Sequence, residues 1–327
     1  MHAIEAKGLT KIYEGSIRAV DGVDLCVEEG EVFGLLGPNG AGKSTTIKML
    51  LTLLKPTSGS IEILGVDALS SPSRVRELVG YVPQEVSVDG DLTGYENLLI
   101  FSKFYSSNVK KEKIRGILEY IGLQEKADDL VKNYSGGMMR RLEIAQALVN
   151  EPKILFLDEP SIGLDPYVKR EVWMLVKTLK EERGMTIFMT THDMMEAEYF
   201  CDRVAIMNAG KIVVLGRPSD LKESVGADVV SLKVSNHVAG LRVPGEVGKL
   251  ISTNNEELSI VPNGRAEEAL PRLILELEKQ GVVIHSISIS RPTLDDVFLK
   301  YTKMRIQEAE SLRQARLARR SFRRHAK

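Results

Sequence analysis

Gly37-Pro38-Asn39-Gly40-Ala41-Gly42-Lys43-Ser44-Thr45 is the stretch on which the fold turns. Its glycines let successive backbone N–H groups turn inward around an anion, and the closing Gly-Lys-Ser stands at the spacing of a phosphate-cradling loop. Upstream, Glu31 to Leu36 reads as a strand; downstream, an apolar stretch to Leu54 reads as a helix. Strand, loop and helix in that order aim the positive helix N-terminus at the same anion. Lys43 then reaches the β- and γ-phosphates of a nucleotide, and the Ser44 hydroxyl ligates Mg2+.

Toward the N-terminus, Ile4 to Leu9 and Val20 to Glu28 read as strands, with Gly15, Gly22 and Gly30 breaking the runs. Ser60 to Leu64 reads as another strand after the Pro56/Gly59 turn. From Glu85 to Asn150 the pattern is helical. Thr93-Gly94-Tyr95-Glu96 has the form of a capping box, and Lys110, Lys111 and Lys113 suit a solvated face of a helix over Val109 to Ile121. Strand–helix alternation returns with Ile154 to Leu157, a helix from Pro166 capped by Asp165, Thr186 to Thr190 and Val204 to Met207. This is the alternation of a layered α/β core.

Near Gly226 the character changes. Asp228 to Val234, Glu257 to Val261 and Val282 to Ile289 read as strands, Ala266 to Gln280 as a helix, and Thr293 to Asp296 as a second capping box. The expected organisation is a nucleotide-binding domain over 1–222 with a helical subdomain at about 85–150, a small α/β domain over 223–304, and an Arg-rich tail over 305–327.

Two further stretches carry chemistry. Ile154-Leu155-Phe156-Leu157-Asp158-Glu159-Pro160 is an apolar strand that ends in two carboxylates. Adjacent acids on their own commonly do no more than close a strand in solvent. Beside a phosphate loop, Asp158 is placed to hold Mg2+ through water, and Glu159 to polarise the water attacking the γ-phosphate. Tyr134-Ser135-Gly136-Gly137-Met138 precedes a helix over Arg140 to Val149, with Leu142, Ala145 and Leu148 on one face. It is a second anion-seeking helix end.

The order of these elements resembles that of ATP-binding-cassette (ABC) ATPases, over roughly residues 1–222. The resemblance implies a P-loop NTPase cassette, of α/β class, that binds and hydrolyses ATP with Mg2+. It places Gly37, Pro38, Asn39, Gly40, Ala41, Gly42, Lys43, Ser44 and Thr45 around the nucleotide, with Tyr13 stacked on adenine. Ser135, Gly136 and Gly137 correspond to the signature that acts in trans, on nucleotide held by the other subunit of a head-to-tail dimer. Gln84, in Tyr81-Val82-Pro83-Gln84, matches the glutamine that touches Mg2+ and the attacking water, and His192 the switch histidine at the γ-phosphate. The implied catalytic set is Glu159, His192 and Gln84, and the implied metal set Ser44, Gln84 and Asp158. Ser161 to Asp165 matches the loop between the carboxylates and the facing subunit.

The signature departs from the usual family form at Tyr134 and Met138, where Leu and Gln are customary. This variant, with Met139-Arg140-Arg141-Leu142 and Pro292-Thr293-Leu294-Asp295-Asp296-Val297-Phe298, resembles the drug-exporting branch typified by daunorubicin-resistance ATPases. That implies the motor of a drug or small-molecule/lipid exporter, at the cytoplasmic face of the membrane, with a separate integral membrane permease and a homodimer or mixed dimer of ATP-binding domains. An importer subunit is the nearer alternative. A soluble ABC ATPase of ribosomes or chromosomes is the further one, opposed by the single cassette and by the short segment between Gly42 and Ser135.

Bulk properties narrow the field in the same direction. A net charge of -1 over 327 residues gives no global attraction to nucleic acid, and none is expected as a partner. No segment approaches the ~20 consecutive apolar residues of a membrane-crossing helix. Met1-His2-Ala3-Ile4-Glu5 lacks the build of a signal peptide. Cys26 and Cys201 stand far apart in no metal-ligand spacing and are expected to be reduced.

Overall fold

The computed structural model describes residues 2–105, 110–235, 241, 243–253 and 257–302; the expected basic tail over 305–327 lies outside the described residues. In chain order the strands are β1 (His2–Tyr13), β2 (Ile17–Glu28), β3 (Val32–Leu36), β4 (Ser58–Ile63), β5 (Val66–Asp67), β6 (Val79–Val82), β7 (Ile154–Asp158), β8 (Thr186–Thr191), β9 (Arg203–Asn208), β10 (Lys211–Gly216), β11 (Val229–Ser235), β12 (Gly248–Thr253), β13 (Glu257–Pro262) and β14 (Val283–Ser290). The helices are α1 (Lys43–Leu50), α2 (Pro72–Leu78), α3 (Gly94–Lys103), α4 (Lys111–Tyr120), α5 (Gly136–Leu148), α6 (Pro166–Arg183), α7 (Met194–Phe200), α8 (Pro218–Val225) and α9 (Ala266–Lys279). A further helix, α10, is described over 294–302. By internal contacts the chain divides into Met1–Pro218 and Ser219–Lys327.

The first unit is built on a six-stranded sheet of order β10-β9-β3-β8-β7-β6. From β9 to β6 all neighbours run parallel, and β10 closes one edge antiparallel. A parallel sheet is covered on both faces, so its central strands need unbroken apolar runs. β3 and β7 meet that demand, being buried at every position. Phe188 packs between Phe33 and Phe156, with ring centroids 5.5 and 5.4 Å apart. Because the strands are parallel, Leu36, Asp158 and Thr191 arrive at the same edge, with Leu36 beside Thr191 and Asp158 beside Thr190. Ligands of open α/β sheets bind at that carboxyl edge.

The first unit also holds a four-stranded antiparallel sheet of order β2-β1-β4-β5. Here one expectation is corrected. Gly22 does not break a strand; it lies inside β2 at φ +64°, where the β1–β2 register shifts between Leu9 and Lys11. Its N–H donates to Thr10 Oγ1 at 3.0 Å, so the glycine accommodates a bulge, not a turn.

Helices α3, α4 and α5 share their own core, which includes Leu98, Ile114, Leu118, Leu142 and Ala145. The Thr93 capping box forms as expected, and Lys110, Lys111 and Lys113 are exposed. Asp165 caps α6 ahead of Pro166. α5 starts at Gly136 and not at Arg140, so both signature glycines belong to its first turn. In the second unit the sheet order is β12-β13-β11-β14, and α9 covers it through Leu273 and Leu277 against Val230, Leu232, Leu258 and Ile260. Thr293 and Asp296 form their box at the start of α10. Both cysteines are free. Among the described residues no helix is long and apolar enough to cross a membrane.

Candidate functional site

β3 delivers the chain to the glycine loop at the carboxyl edge of the sheet. Gly37 (φ +154°) passes so close to β9 that a Cβ would lie 2.2 Å from the Met207 carbonyl oxygen. Gly42 (φ +108°) is the N-cap of α1, and a Cβ there would lie 2.4 Å from the Ala19 carbonyl oxygen. No side chain fits at either place. The loop is tied by Ala41 N–H to Pro38 O (3.1 Å) and by Gly210 N–H to Ala41 O (3.0 Å).

Lys43 is 5% exposed. Its ammonium donates to Gly37 O (2.8 Å) and Pro38 O (3.3 Å) and lies 3.1 Å from Glu159 Oε1. The other Glu159 oxygen, Oε2, lies 3.0 Å from His192 Nδ1. Ser44 Oγ donates to Asp158 Oδ1 at 3.2 Å. The structure therefore brings Lys43, Ser44, Asp158, Glu159 and His192 into one connected group. Tyr81, on β6 beside β7, has its hydroxyl pKa pushed up to about 12, by burial first and by the Asp158 charge second.

Thr190 joins this group although no sequence motif marks it. Its hydroxyl donates to Asp158 Oδ1 at 2.5 Å and accepts from the Glu159 N–H at 3.0 Å, while its carbonyl accepts from the same N–H at 3.2 Å. Glu159 stands at φ +48°, a left-handed conformation that costs a non-glycine residue about 1–2 kcal/mol unless its surroundings hold it. Thr190 supplies one such restraint. Only its apolar strand was visible in the sequence, because the contact depends on the β7–β8 register.

Other expected residues stand outside this group. Tyr13 ends β1 with its ring exposed beneath the Lys11 ammonium, 5.5 Å from the centroid. Gln84 follows β6 and is exposed; its carbonyl accepts from Arg140 Nη2 at 3.2 Å, and among the described residues no hydrogen bond joins its side chain to the Lys43–Glu159 group. Arg140 also donates to Pro83 O (2.8 Å) and pairs with buried Glu143 at 2.9 Å. Burial lowers the Arg140 pKa and raises that of Glu143.

Ser135 is the N-cap of α5, and its hydroxyl accepts from the Met138 N–H at 3.2 Å. A Cβ on Gly137 would meet Val168 Cγ1 at 2.3 Å, so α6 packs this closely, with Val168 unshifted, because this residue is glycine. The unusual Tyr134 is a core residue of the helical part. It is 5% exposed, its hydroxyl donates to Lys126 O at 2.5 Å, and Gly94 leaves the room it needs. Among the described residues no hydrogen bond or ion pair joins Ser135 to the glycine loop of the same chain.

Residues 20–162 match the ABC transporter family, and residues 216–302 match the C-terminal domain of DrrA1-3-like ATP-binding proteins. The chain is 40% identical over 306 residues to a daunorubicin/doxorubicin resistance ATP-binding protein of Streptomyces peucetius, covering 92% of each. It is 34% identical to a linearmycin resistance ATP-binding protein of Bacillus subtilis (strain 168), covering 91% of this chain and 98% of that one. Among solved structures it is similar to a dimeric, post-hydrolysis ATP-binding cassette bound to ADP and Pi, with TM-score 0.60 and 29% identity over 65% of this chain and 98% of the other.

Proposed function

The chain belongs to the ABC transporter ATP-binding family and is an ATPase of the transport type; from that premise we propose that it is the motor of a drug or small-molecule/lipid exporter, working at the cytoplasmic face of the membrane with a separate integral membrane permease. Relatives named for daunorubicin resistance, linearmycin resistance and Nod factor export support the export direction. We assign ATP binding to 1–222, with the helical subdomain at about 85–150, an accessory role to 223–304, and no catalytic role to the tail over 305–327. Two copies, or one copy and a similar chain, pair head to tail.

Within the site, Lys43 and the loop from Gly37 to Thr45 take the phosphates, and Tyr13 takes the adenine face. Ser44 Oγ and Asp158 Oδ1 are hard oxygen donors of the kind Mg2+ accepts, and Gln84 is assigned to the same ion. When bound, Mg2+ offsets the charge that develops on the phosphate oxygens. An arriving γ-phosphate offers Lys43 a second anion, which releases Glu159 Oε1 toward water while His192 retains Oε2. Glu159 then polarises the attacking water. Ser135, with Gly136 and Gly137 behind it, addresses nucleotide on the other subunit.

The observation that carries this reading is the position of Glu159 between Lys43 and His192. Glu159→Gln keeps the shape and loses the basicity, so ATP binding should persist while turnover falls at least about a hundredfold. The variant should accumulate as an ATP-bound dimer, and near-normal turnover would remove Glu159 from its role. Purification in mild detergent should also carry an integral membrane protein along; a chain that repeatedly emerges without one contradicts the transport partner.

A further inference from the structure

Glu196, on α7, is 7% exposed and gathers side chains from three other segments. Ser161 Oγ lies 2.6 and 2.7 Å from its two oxygens, Thr191 Oγ1 donates to Oε2 at 3.1 Å, and the Lys169 ammonium of α6 lies 3.0 Å from Oε1. Their positions in the chain give the cluster its meaning. Ser161 is separated from Glu159 only by Pro160, and Thr191 directly precedes His192. One buried carboxylate thus holds the side-chain hydroxyls of Ser161 and Thr191, residues close in sequence to each member of the Glu159–His192 pair.

The grip extends past His192. The Thr191 hydroxyl also accepts from the Asp193 N–H at 2.9 Å, and Asp193 Oδ1 caps α7 by accepting from Met195 and Glu196 N–H at 3.1 and 3.3 Å. Lys169 reaches Asp193 Oδ2 at 3.5 Å. Burial alone would lower the Lys169 pKa, but the Glu196 and Asp193 carboxylates outweigh it and raise the value. Glu159 needs such restraint. At φ +48° its backbone is left-handed, a conformation that persists only under surrounding restraint, and Thr190 holds its N–H side. On the exit side the Ile162 N–H donates to Glu159 O at 3.2 Å, and Ser161 adds a side-chain anchor through Glu196.

We infer that Glu196 is a positioning residue for ATP hydrolysis: with Lys169 it locks the chain on both sides of the Glu159–His192 pair and keeps the Glu159 carboxylate aligned on the attacking water. This rests on Glu159 being the group that polarises the water. Misplacing a reacting group lowers the rate of the chemical step without touching the contacts that bind phosphate. A carboxylate that served folding alone would alter melting temperature and leave the rate of bound ATP unchanged.

The test is single-turnover hydrolysis of pre-bound ATP by Glu196→Gln, Lys169→Met and the double variant, with ATP affinity and thermal melting measured alongside. Losing a charge-assisted contact should slow Glu196→Gln on the order of tenfold. ATP affinity should stay within about twofold, and the double variant should be no slower than Glu196→Gln, because both lesions remove one contact. A normal single-turnover rate, or a rate that falls only in proportion to ATP affinity, overturns the inference. Should Glu196→Gln not fold, Lys169→Met decides by the same criteria, since its side chain is 31% exposed. Glu159→Gln is run in parallel: if it hydrolyses ATP normally, the water-polarising role itself has failed; if it is inactive and Glu196→Gln is normal, only the positioning role has failed.

Discussion

The two glycine-bearing helix starts of the first unit look alike in sequence and differ in physics. At the start of α1 the glycines are conformational: Gly37, Gly40 and Gly42 have φ of +154°, +78° and +108°. Carbonyl oxygens of Met207 and Ala19 crowd Gly37 and Gly42. At the start of α5 the glycines are helical, and Gly137 is small because Val168 of α6 presses on it. The first start is completed within the chain, by Lys43, Asp158, Glu159 and His192. The second presents an exposed Ser135 whose hydroxyl is engaged with its own helix. On the reading proposed above, the first start takes the phosphates of its own chain's nucleotide and the second finishes a neighbour's site.

Removing the buried cation should expose this difference most strongly. Lys43→Ala deletes the buried ammonium beside Glu159, so ATP affinity should fall by roughly ten- to a hundredfold in isothermal titration. Unchanged affinity would show that the ammonium is not directed at phosphate. The glycines give smaller, graded effects in thermal unfolding. Gly42→Ala combines a left-handed φ with a carbonyl oxygen in the way and should cost more than about 2 kcal/mol. Gly137→Ala sets overpacking against Val168 against the better helix propensity of alanine, for a net loss of about 1 kcal/mol. Gly136→Ala should be close to neutral, since its Cβ would meet only the end of Leu164 at 3.3 Å. If Gly137→Ala melts like Gly136→Ala, contact with α6 does not explain the second glycine.

The contrast also marks what can be read from a sequence. The loop, the two carboxylates and the α5 cap are local patterns, in which residue type and spacing already state the requirement. Thr190, Lys169 and Glu196 are ordinary residues until the parallel register brings Thr190 to Asp158 and Glu159 and the packing of α6 and α7 brings Glu196 to Ser161 and Lys169 to Glu196. β6 escapes notice because four residues, ending before Pro83, are too few to show a period. β12 mixes Gly, Lys, Ser and Thr at a sheet edge, and Gly22 reads as a breaker although it sits in a bulge. Tyr134 departs from the usual signature for a reason that only packing shows, the buried bond of its hydroxyl to Lys126 O.

Sharing of the second helix start between subunits is tested most directly by mixing two inactive chains. Gly137→Asp is a poor choice, because its side chain strikes Val168 before any phosphate. Ser135→Arg fills an exposed position and leaves the α5–α6 contact alone. Lys43→Ala and Ser135→Arg should each be inactive as homodimers. In a mixed dimer both lesions fall in one composite site, and the other combines an intact glycine loop with an intact signature. Random pairing makes about half of the dimers mixed, so about a quarter of the parent ATPase activity should return if the two sites turn over independently. Vanadate trapping of nucleotide, measured on the same mixtures, reads the restored site even if steady turnover needs both. Recovery in either assay supports the shared site. No recovery in both, with mixed dimers shown to form, contradicts it.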